Sequence, residues 1–256
     1  MINCKPAATP SDPNQKLSTE MSPKTEDKKQ ELEGVPYQEA VGSLLYLAQG
    51  TRPDIAFAVN NVSRFNSNFG KSHWTAVKRI FRYLKGTREI KVRYSKSDND
   101  DLVGFSDADW ASDVDKRRSC TGYIFLMCKG AISWMSKRQQ IVVLSSTEAE
   151  YMALSATIQE ALWLKSFSEG LELNSKTNAI KIKCDNQSAL GLAKTDGFRA
   201  RSKHIDVRHH YIREKVANGI IDLTYISTKE MVADNLTKAV NGPKHASCAL
   251  KAGLVH

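Results

Sequence analysis

The sequence predicts an α/β protein in which a mixed five-stranded sheet is flanked by helices and preceded by a small helical subdomain. Three observations predict it. Between residues 37 and 85, apolar side chains recur at three- and four-residue spacing, the signature of helices with one buried face. From Leu102 onward five short runs, LVGFS, TGYIFLMC, AISWMSK, IKIKC and LTYIS, have strand character. The first three follow one another without a helix between them, whereas the last two alternate with helical stretches, so antiparallel and parallel pairing should share one sheet.

Taken in order, residues 1–34 are rich in Pro, Ser, Thr, Lys and Glu. They offer little burial to offset ordering entropy and read as a disordered linker. Residues 35–97 form the helical subdomain. Its first helix, Tyr37 to Gln49, carries Val41, Leu44, Leu45 and Ala48 on one face and is stopped by Gly50. Asp54 is placed to start IAFAVNNVSRF, and Ser72 to cap HWTAVKRIFRYLKG. In the latter, Trp74, Val77, Ile80, Phe81 and Leu84 make an apolar stripe, and Lys78, Arg79, Arg82 and Lys85 a basic one. The basic stripe reads as a solvated face, with nucleic-acid contact as the alternative. A hinge at Ser97 to Asp100 opens the α/β domain, residues 98–241, and residues 242–256 read as a tail.

Within the α/β domain, Ser145 or Ser146 caps the long helix TEAEYMALSATIQEALWLKSF. NQSALGLAK is a short helix, the basic loop FRARSKH leads into the helix IDVRHHYIREKVAN, Gly219 ends that helix, and MVADNLTKAV is the last helix.

Composition narrows the partners. Lys and Arg number 37 against 28 Asp and Glu, a formal charge of +9 with a pI near 9.2. That balance suits a polyanion without establishing one. Five cysteines without a CxxC pair indicate neither a zinc site nor a disulfide framework, which implies a reduced intracellular, cytoplasmic setting. The longest apolar run, Ala40 to Ala48, is far below the roughly 20 residues of a membrane span, and no signal-type apolar core follows Met1. No membrane association is expected, and oligomeric state is left open.

Chemistry should begin at LVGFSDADW, where a strand runs into two aspartates. Strand carboxyl ends are where open α/β sheets hold ligands. Asp107 follows the first strand and Asp185 the fourth; if those strands are neighbours, two carboxylates meet at one sheet edge. Glu150 falls on the apolar stripe of the long helix with Leu154 and Ile158, unlike Glu148. Asp234 lies early in the last helix. Each has a structural alternative: Asp185 as a helix cap, Glu150 and Asp234 as partners of helix dipoles, Asp107 or Asp109 as turn residues. Together they repel one another unless cations intervene, and oxygen ligands without His or Cys suit two Mg²⁺, or Mn²⁺, ions.

That order of carboxylates resembles the ribonuclease H domain, with its preceding connection region, of a copia-like retrotransposon Pol polyprotein. The matching stretches are YQEAVGSLLYLAQGTRPDIAFAV, HWTAVKRIFRYLKGT, FSDADWASDVDKRRSCTGYIF, ISWMSKRQQIVVLSSTEAEYMALS, CDNQSALGLAK, RSKHIDVRHHYIRE and ISTKEMVADNLTK, covering roughly residues 35–241. NCKPAATPSDPN is similar to the segment just downstream of that family's polymerase palm, so the chain would be a carboxyl-terminal part of such a polyprotein without the polymerase's paired aspartates. The resemblance implies a ribonuclease H-like fold. It also implies that Asp107, Glu150, Asp185 and Asp234 hold two Mg²⁺ ions and hydrolyse the RNA strand of an RNA–DNA hybrid, leaving a 3′-hydroxyl and a 5′-phosphate. Partners would be the hybrid and the reverse transcriptase of the same polyprotein, with retrotransposon particles as one setting. The order further singles out Asp107 over Asp109. Many ribonucleases H carry a histidine in the loop before the last carboxylate; ISTKEMVAD has none, and His204, His209 and His210 sit on or beside the preceding helix.

Lys194, Arg199, Arg201, Lys203, His204 and Arg208, with Lys137 and Arg138, are placed to grip phosphates without reading sequence, a solvated connector being the alternative for the basic loop. Asn186 and Gln187 are candidates for contact with a 2′-hydroxyl. Trp110 reads as core rather than as a stacking platform. Two other functions compete with the endonuclease. One is a degenerate remnant that binds nucleic acid without cleaving it. The other is a transposase or integrase, which expects its glutamate after the second strand-end aspartate, whereas Glu150 precedes Asp185.

Overall fold

The computed structural model describes residues 3–96, 101–171, 179–194 and 206–256. Its centre is a five-stranded sheet of β2 (Val103–Asp109), β3 (Cys120–Met127), β4 (Gly130–Arg138), β5 (Ile180–Cys184) and β6 (Ile221–Tyr225), in the order β4-β3-β2-β5-β6. β2 pairs antiparallel with β3 and parallel with β5, and β5 pairs parallel with β6. The sheet is therefore mixed and helix-flanked, the ribonuclease H-like arrangement that the resemblance implies. The parallel register sets Ser106 beside Cys184, which brings Asp107 next to Asp185; Asp185 follows β5 as expected, but Asp107 stays within β2, which runs on to Asp109 because β3 keeps pairing with it.

Strand alternation gives the sheet two buried faces. On one, α5 (Ser146–Gly170), α6 (Gln187–Lys194) and α7 (Asp206–Ala217) cover the sheet, with Leu154, Ile158, Ile182, Ile212 and Leu223 in the core between them. On the other, Phe105, Ile124 and Ala131 pack against Met231, Val232 and Leu236. Ser106 faces α5 and accepts a hydrogen bond from the Thr157 hydroxyl at 3.0 Å, so small polar residues let the long helix approach β2.

After the short helix α1 (Glu26–Gln30), the helical subdomain comprises α2 (Tyr37–Gly50), α3 (Ala56–Ser63) and α4 (Lys71–Gly86) around a core of Val41, Leu44, Ile55, Val59, Val77 and Ile80. The expected start signals give way to other groups. Asp54 lies in a 3-10 turn, Pro53–Ile55, where both of its oxygens accept from Arg52, at 2.9 and 2.7 Å. Before α4, His73 Nδ1 accepts from the Gly70 N–H at 2.9 Å, which leaves Ser72 without the capping role. The Trp134 indole N–H donates to the Ala48 carbonyl at 2.7 Å and ties this subdomain to β4.

Residues 4–22, expected as part of a linker, lie along α4. Arg79 donates to the Thr9 carbonyl at 3.2 Å, Arg82 to the Lys5 carbonyl at 2.7 Å and Lys85 to the Cys4 carbonyl at 2.9 Å. Leu17 is buried, and Thr19 gives its N–H and hydroxyl to Asp115, at 2.9 and 2.8 Å. Three cations of the α4 basic stripe thus bind backbone carbonyls of this segment. Peptide oxygens, which composition does not register, hold it together with Leu17 and the Thr19–Asp115 contact.

The carboxyl end also differs from expectation. MVADNLTKAV forms one helical turn, α8 (Asp234–Thr237), because Lys238 is extended. In place of a tail, α9 (Gly242–Lys251) follows, capped by Asn241 and with Pro243 in its first turn. β7 (Leu254–Val255) then pairs antiparallel with β1 (Lys91–Val92). Among the described residues no helix is long and apolar enough to cross a membrane.

Candidate active site

Asp107 sits near the end of β2, facing α8. Its cross-strand neighbour is Gly122, and a Cβ there would meet Thr237 Cγ2 at 2.6 Å and Leu236 Cβ at 2.9 Å. The absent side chain lets α8 close onto the sheet. That contact delivers the Thr237 hydroxyl, which donates to Asp107 Oδ2. Asp107 is 1% exposed; burial pushes its carboxyl above the ordinary range, Asp234 and Asp185 add to the rise, and Lys238 opposes it.

Glu150 comes from the other face. The Ser145 hydroxyl accepts from the Glu148 N–H at 3.2 Å, and Glu148 Oε2 accepts from the Leu144 N–H at 2.8 Å. This capping arrangement occupies Glu148 at the helix start and leaves Glu150 inward, 6% exposed. Burial, then the charges of Asp107 and Asp185, raise its carboxyl, while the Ala108 backbone N–H lowers it. Oε2 is buried and has no hydrogen-bond partner among the described residues.

Asp185 follows β5. The cap of α6 is Asn186, whose side-chain oxygen accepts from the Ala189 N–H at 3.0 Å, so Asp185 is not consumed by the helix. Its Oδ2 accepts from the Thr228 hydroxyl at 2.7 Å. Ligand atoms of Glu150, Cys184 and Asp185 lie within 4.8 Å of one another. Cys184 is a thiol that sequence reasoning did not place at the site, and burial pushes its ionisation up.

Asp234 is 1% exposed and paired with two lysines. Lys238 Nζ lies 2.6 Å from Oδ1 and 3.7 Å from Asp107 Oδ2, while Lys244 Nζ lies 2.7 Å from Asp234 Oδ2. Lys244 also donates to the carbonyls of Thr228, Lys229 and Met231, at 2.6, 3.1 and 3.2 Å. Sequence reasoning missed both lysines. Lys238 stands four residues after Asp234, a helical spacing that was available as a signal; Lys244 reaches the site through α9, which carries no local sign of it.

The expected phosphate contacts are dispersed. Lys137, Gln187, Lys194 and Arg208 are exposed, Asn186 serves as the α6 cap, and Arg199, Arg201, Lys203 and His204 lie outside the described residues. Arg138 Nη1 donates to Asp113 Oδ2 at 2.7 Å, and Arg64 pairs with the other oxygen of Asp113. Trp110, expected in the core, is 51% exposed, with its indole N–H 3.4 Å from the Val143 carbonyl. It lies just past the end of β2, where the chain turns away from the sheet.

Glu150 and Asp185 thus share one cluster at the sheet's end, and Asp107 and Asp234, joined through Lys238, lie close enough beside it for their charges to act on it. The donor set fits a hard divalent cation: the carboxylates are oxygen ligands, and a cation would satisfy the Glu150 oxygen that no N–H or O–H reaches. Such a site can bind a phosphate through cations and hold a water against it.

No protein-family model matches the chain. Over 254 residues it is 48% identical to the retrovirus-related Pol polyprotein from transposon TNT 1-94 of Nicotiana tabacum, covering 99% of this chain and 19% of that one. It is 40% identical over 254 residues to the corresponding polyprotein from transposon RE1 of Arabidopsis thaliana, covering 99% of this chain and 17% of that one. The chain therefore spans less than a fifth of the length of these curated relatives. A solved structure of LC11-RNase H1, isolated from compost, is similar at 16% identity over 54% of this chain and 94% of that one, with a TM-score of 0.39. Identity of this order across nearly all of its residues makes the chain homologous to one stretch of the retrovirus-related Pol polyproteins of plant transposons.

Proposed function

We propose that this chain is the ribonuclease H portion of a copia-type retrotransposon polyprotein, a metal-dependent endonuclease that hydrolyses the RNA strand of RNA–DNA hybrids. The observation that carries the proposal is the clustering of Glu150 with Asp185, with Asp107 and Asp234 beside them sharing Lys238, and with Glu150 Oε2 buried and without a hydrogen-bond partner among the described residues. Two Mg²⁺ ions, or Mn²⁺, bound by these four residues would supply Lewis acidity toward the scissile phosphate and acidify an attacking water. The protein's own part is positional. Thr237 orients Asp107, Thr228 orients Asp185, and the buried walls around Glu150 keep bulk water from screening the site. Exposed Lys137, Lys194 and Arg208 would hold phosphates, and reverse transcriptase of the same polyprotein would deliver the hybrid inside the cell.

A second reading, a remnant that binds hybrid without cutting it, is favoured by one observation: both oxygens of Asp234 are already held by lysines. A labelled RNA–DNA hybrid incubated with the protein and Mg²⁺ separates the two. Cutting of the RNA strand that is lost in Asp185→Asn supports the nuclease. Metal-independent cutting, or full activity in Asp185→Asn, overturns the mechanism. Salt-sensitive hybrid binding without cutting by the parent protein selects the remnant.

A further inference from the structure

The two lysines at Asp234 are not equivalent. Lys244 has three backbone carbonyls besides Asp234, and its side chain is 22% exposed. These acceptors hold the ammonium in place whether or not the carboxylate is engaged elsewhere. Among the described residues Lys238 pairs with Asp234 at 2.6 Å and Asp107 at 3.7 Å, and its side chain is 41% exposed on an extended residue beyond α8. Its ammonium lies between two carboxylates that are each 1% exposed, where a shared cation would lie. The opposite side of the site is built differently: Asp234 Oδ1 has no hydrogen-bond donor but lies 2.6 Å from the Lys238 ammonium, whereas among the described residues Glu150 Oε2, clustered with Asp185, has neither a hydrogen bond nor an ion pair.

We infer that Lys238 is a built-in counter-cation of the Asp107–Asp234 pair, which a divalent ion must displace and which thereby makes the two ion positions unequal. The inference rests on the metal centre proposed above. With Lys238 in place, the repulsion between Asp107 and Asp234 is neutralised and the metal-free protein keeps its site assembled. An ion entering on the Glu150–Asp185 side meets no ammonium in direct contact among the described residues, since Lys238 acts on these two carboxylates only through space. An ion shared by Asp107 and Asp234 must first break a charge-assisted contact and turn the side chain toward solvent, which its exposure permits. Lys238 is in this sense a positioning residue for the apo site and a gate on the second ion.

The full chain titrated with Mn²⁺ alone, with free Mn²⁺ followed by electron paramagnetic resonance, tests this without recourse to activity. The parent protein should show one tighter and one weaker ion. Lys238→Met should tighten the weaker one on the order of tenfold or more, the worth of a lost charge-assisted competitor. Lys238→Gln, which keeps a polar donor, provides the same reading should the methionine variant fold poorly, and Lys238→Arg should behave like the parent. Melting temperatures supply a second readout: Lys238→Met should melt lower than the parent without metal yet gain more on adding Mn²⁺. Unchanged or weaker Mn²⁺ binding in both neutral variants overturns the inference while leaving the metal centre standing. Absence of Mn²⁺ binding by the parent and by all variants overturns the metal centre itself.

Discussion

A buried carboxylate oxygen with no donor is a cost that folding normally avoids. Glu150 carries it beside Asp107 and Asp185, so its ionised form is disfavoured in the fold. Because the folded carboxyl titrates above the ordinary 4.5 of a glutamate, the metal-free protein binds more protons folded than unfolded once pH exceeds that value. Stability without metal should therefore fall as pH rises from about 4.5. Glu150→Gln should flatten that slope and raise the melting temperature at pH 8 in chelator, which differential scanning calorimetry across pH would read; an unchanged slope would mean that Glu150 is not the group responsible. Asp107 and Asp109 divide in the same residue-level terms. Asp107 is fully enclosed and held by Thr237 and Lys238, whereas Asp109 is half-buried at the strand's end. Asp107→Asn should abolish hybrid cleavage and Asp109→Asn reduce it far less, and equal losses in steady-state assays would show that the pair acts together.

Elements bring these residues together through close contacts that leave no room for change. α8 rests on Gly122, and an alanine there would drive a methyl into Thr237 and Leu236. Gly122→Ala should cost roughly 1–3 kcal/mol by denaturant unfolding, a typical cost of overpacking. It should also lower cleavage more than stability alone explains, because Asp234 and Thr237 move together. The helical subdomain meets α9 through a buried polar chain: Arg52 grips Asp54, the Tyr83 hydroxyl donates to Asp54 Oδ2 at 2.7 Å, and His245 Nε2 lies 3.1 Å from that hydroxyl. Removing one partner strands a buried charge. Asp54→Ala should destabilise by about 3–5 kcal/mol in equilibrium unfolding, and Arg52→Met combined with it should recover part of the loss; no recovery would mean that the pair is not what the single variant breaks.

On the scale of the whole molecule, the amino-terminal segment, the helices and the sheet are joined across the β2–β3 connection. Thr19 bonds to Asp115, Arg64 bridges Asp113 and Asp115, and Arg138 at the end of β4 holds the far side of Asp113. That connection begins three residues after Asp107, so the helical subdomain supports the strand that carries the site. Deleting residues 1–21 should lower the melting temperature by roughly 5–10 °C, the equivalent of a few kcal/mol in a chain of this size. Circular dichroism melts check this, and a change under 2 °C would show the segment to be an independent strap.

The fold class and the order of the four carboxylates were legible in the sequence because they rest on local pattern. Alternation marked the strands, helical spacing turned Glu150 inward and Glu148 outward, and residues near the carboxyl ends of β2 and β5 had to reach the sheet edge. What sequence left open was settled by contacts between segments far apart in the chain. Sequence leaves Asp185 readable as the cap of α6 or as a ligand, and what decides is the Asn186 oxygen on the Ala189 N–H and the Thr228 hydroxyl on Asp185. Lys244, Gly122 and the carbonyls that hold the α4 cations carry no local signal, since a turn, a tail and a linker look alike in composition whether or not a partner lies 100 residues away. Local propensity therefore determined which elements form and which side chains face inward. Tertiary packing alone decided which of those side chains share the site, and placed Lys238 between two of them.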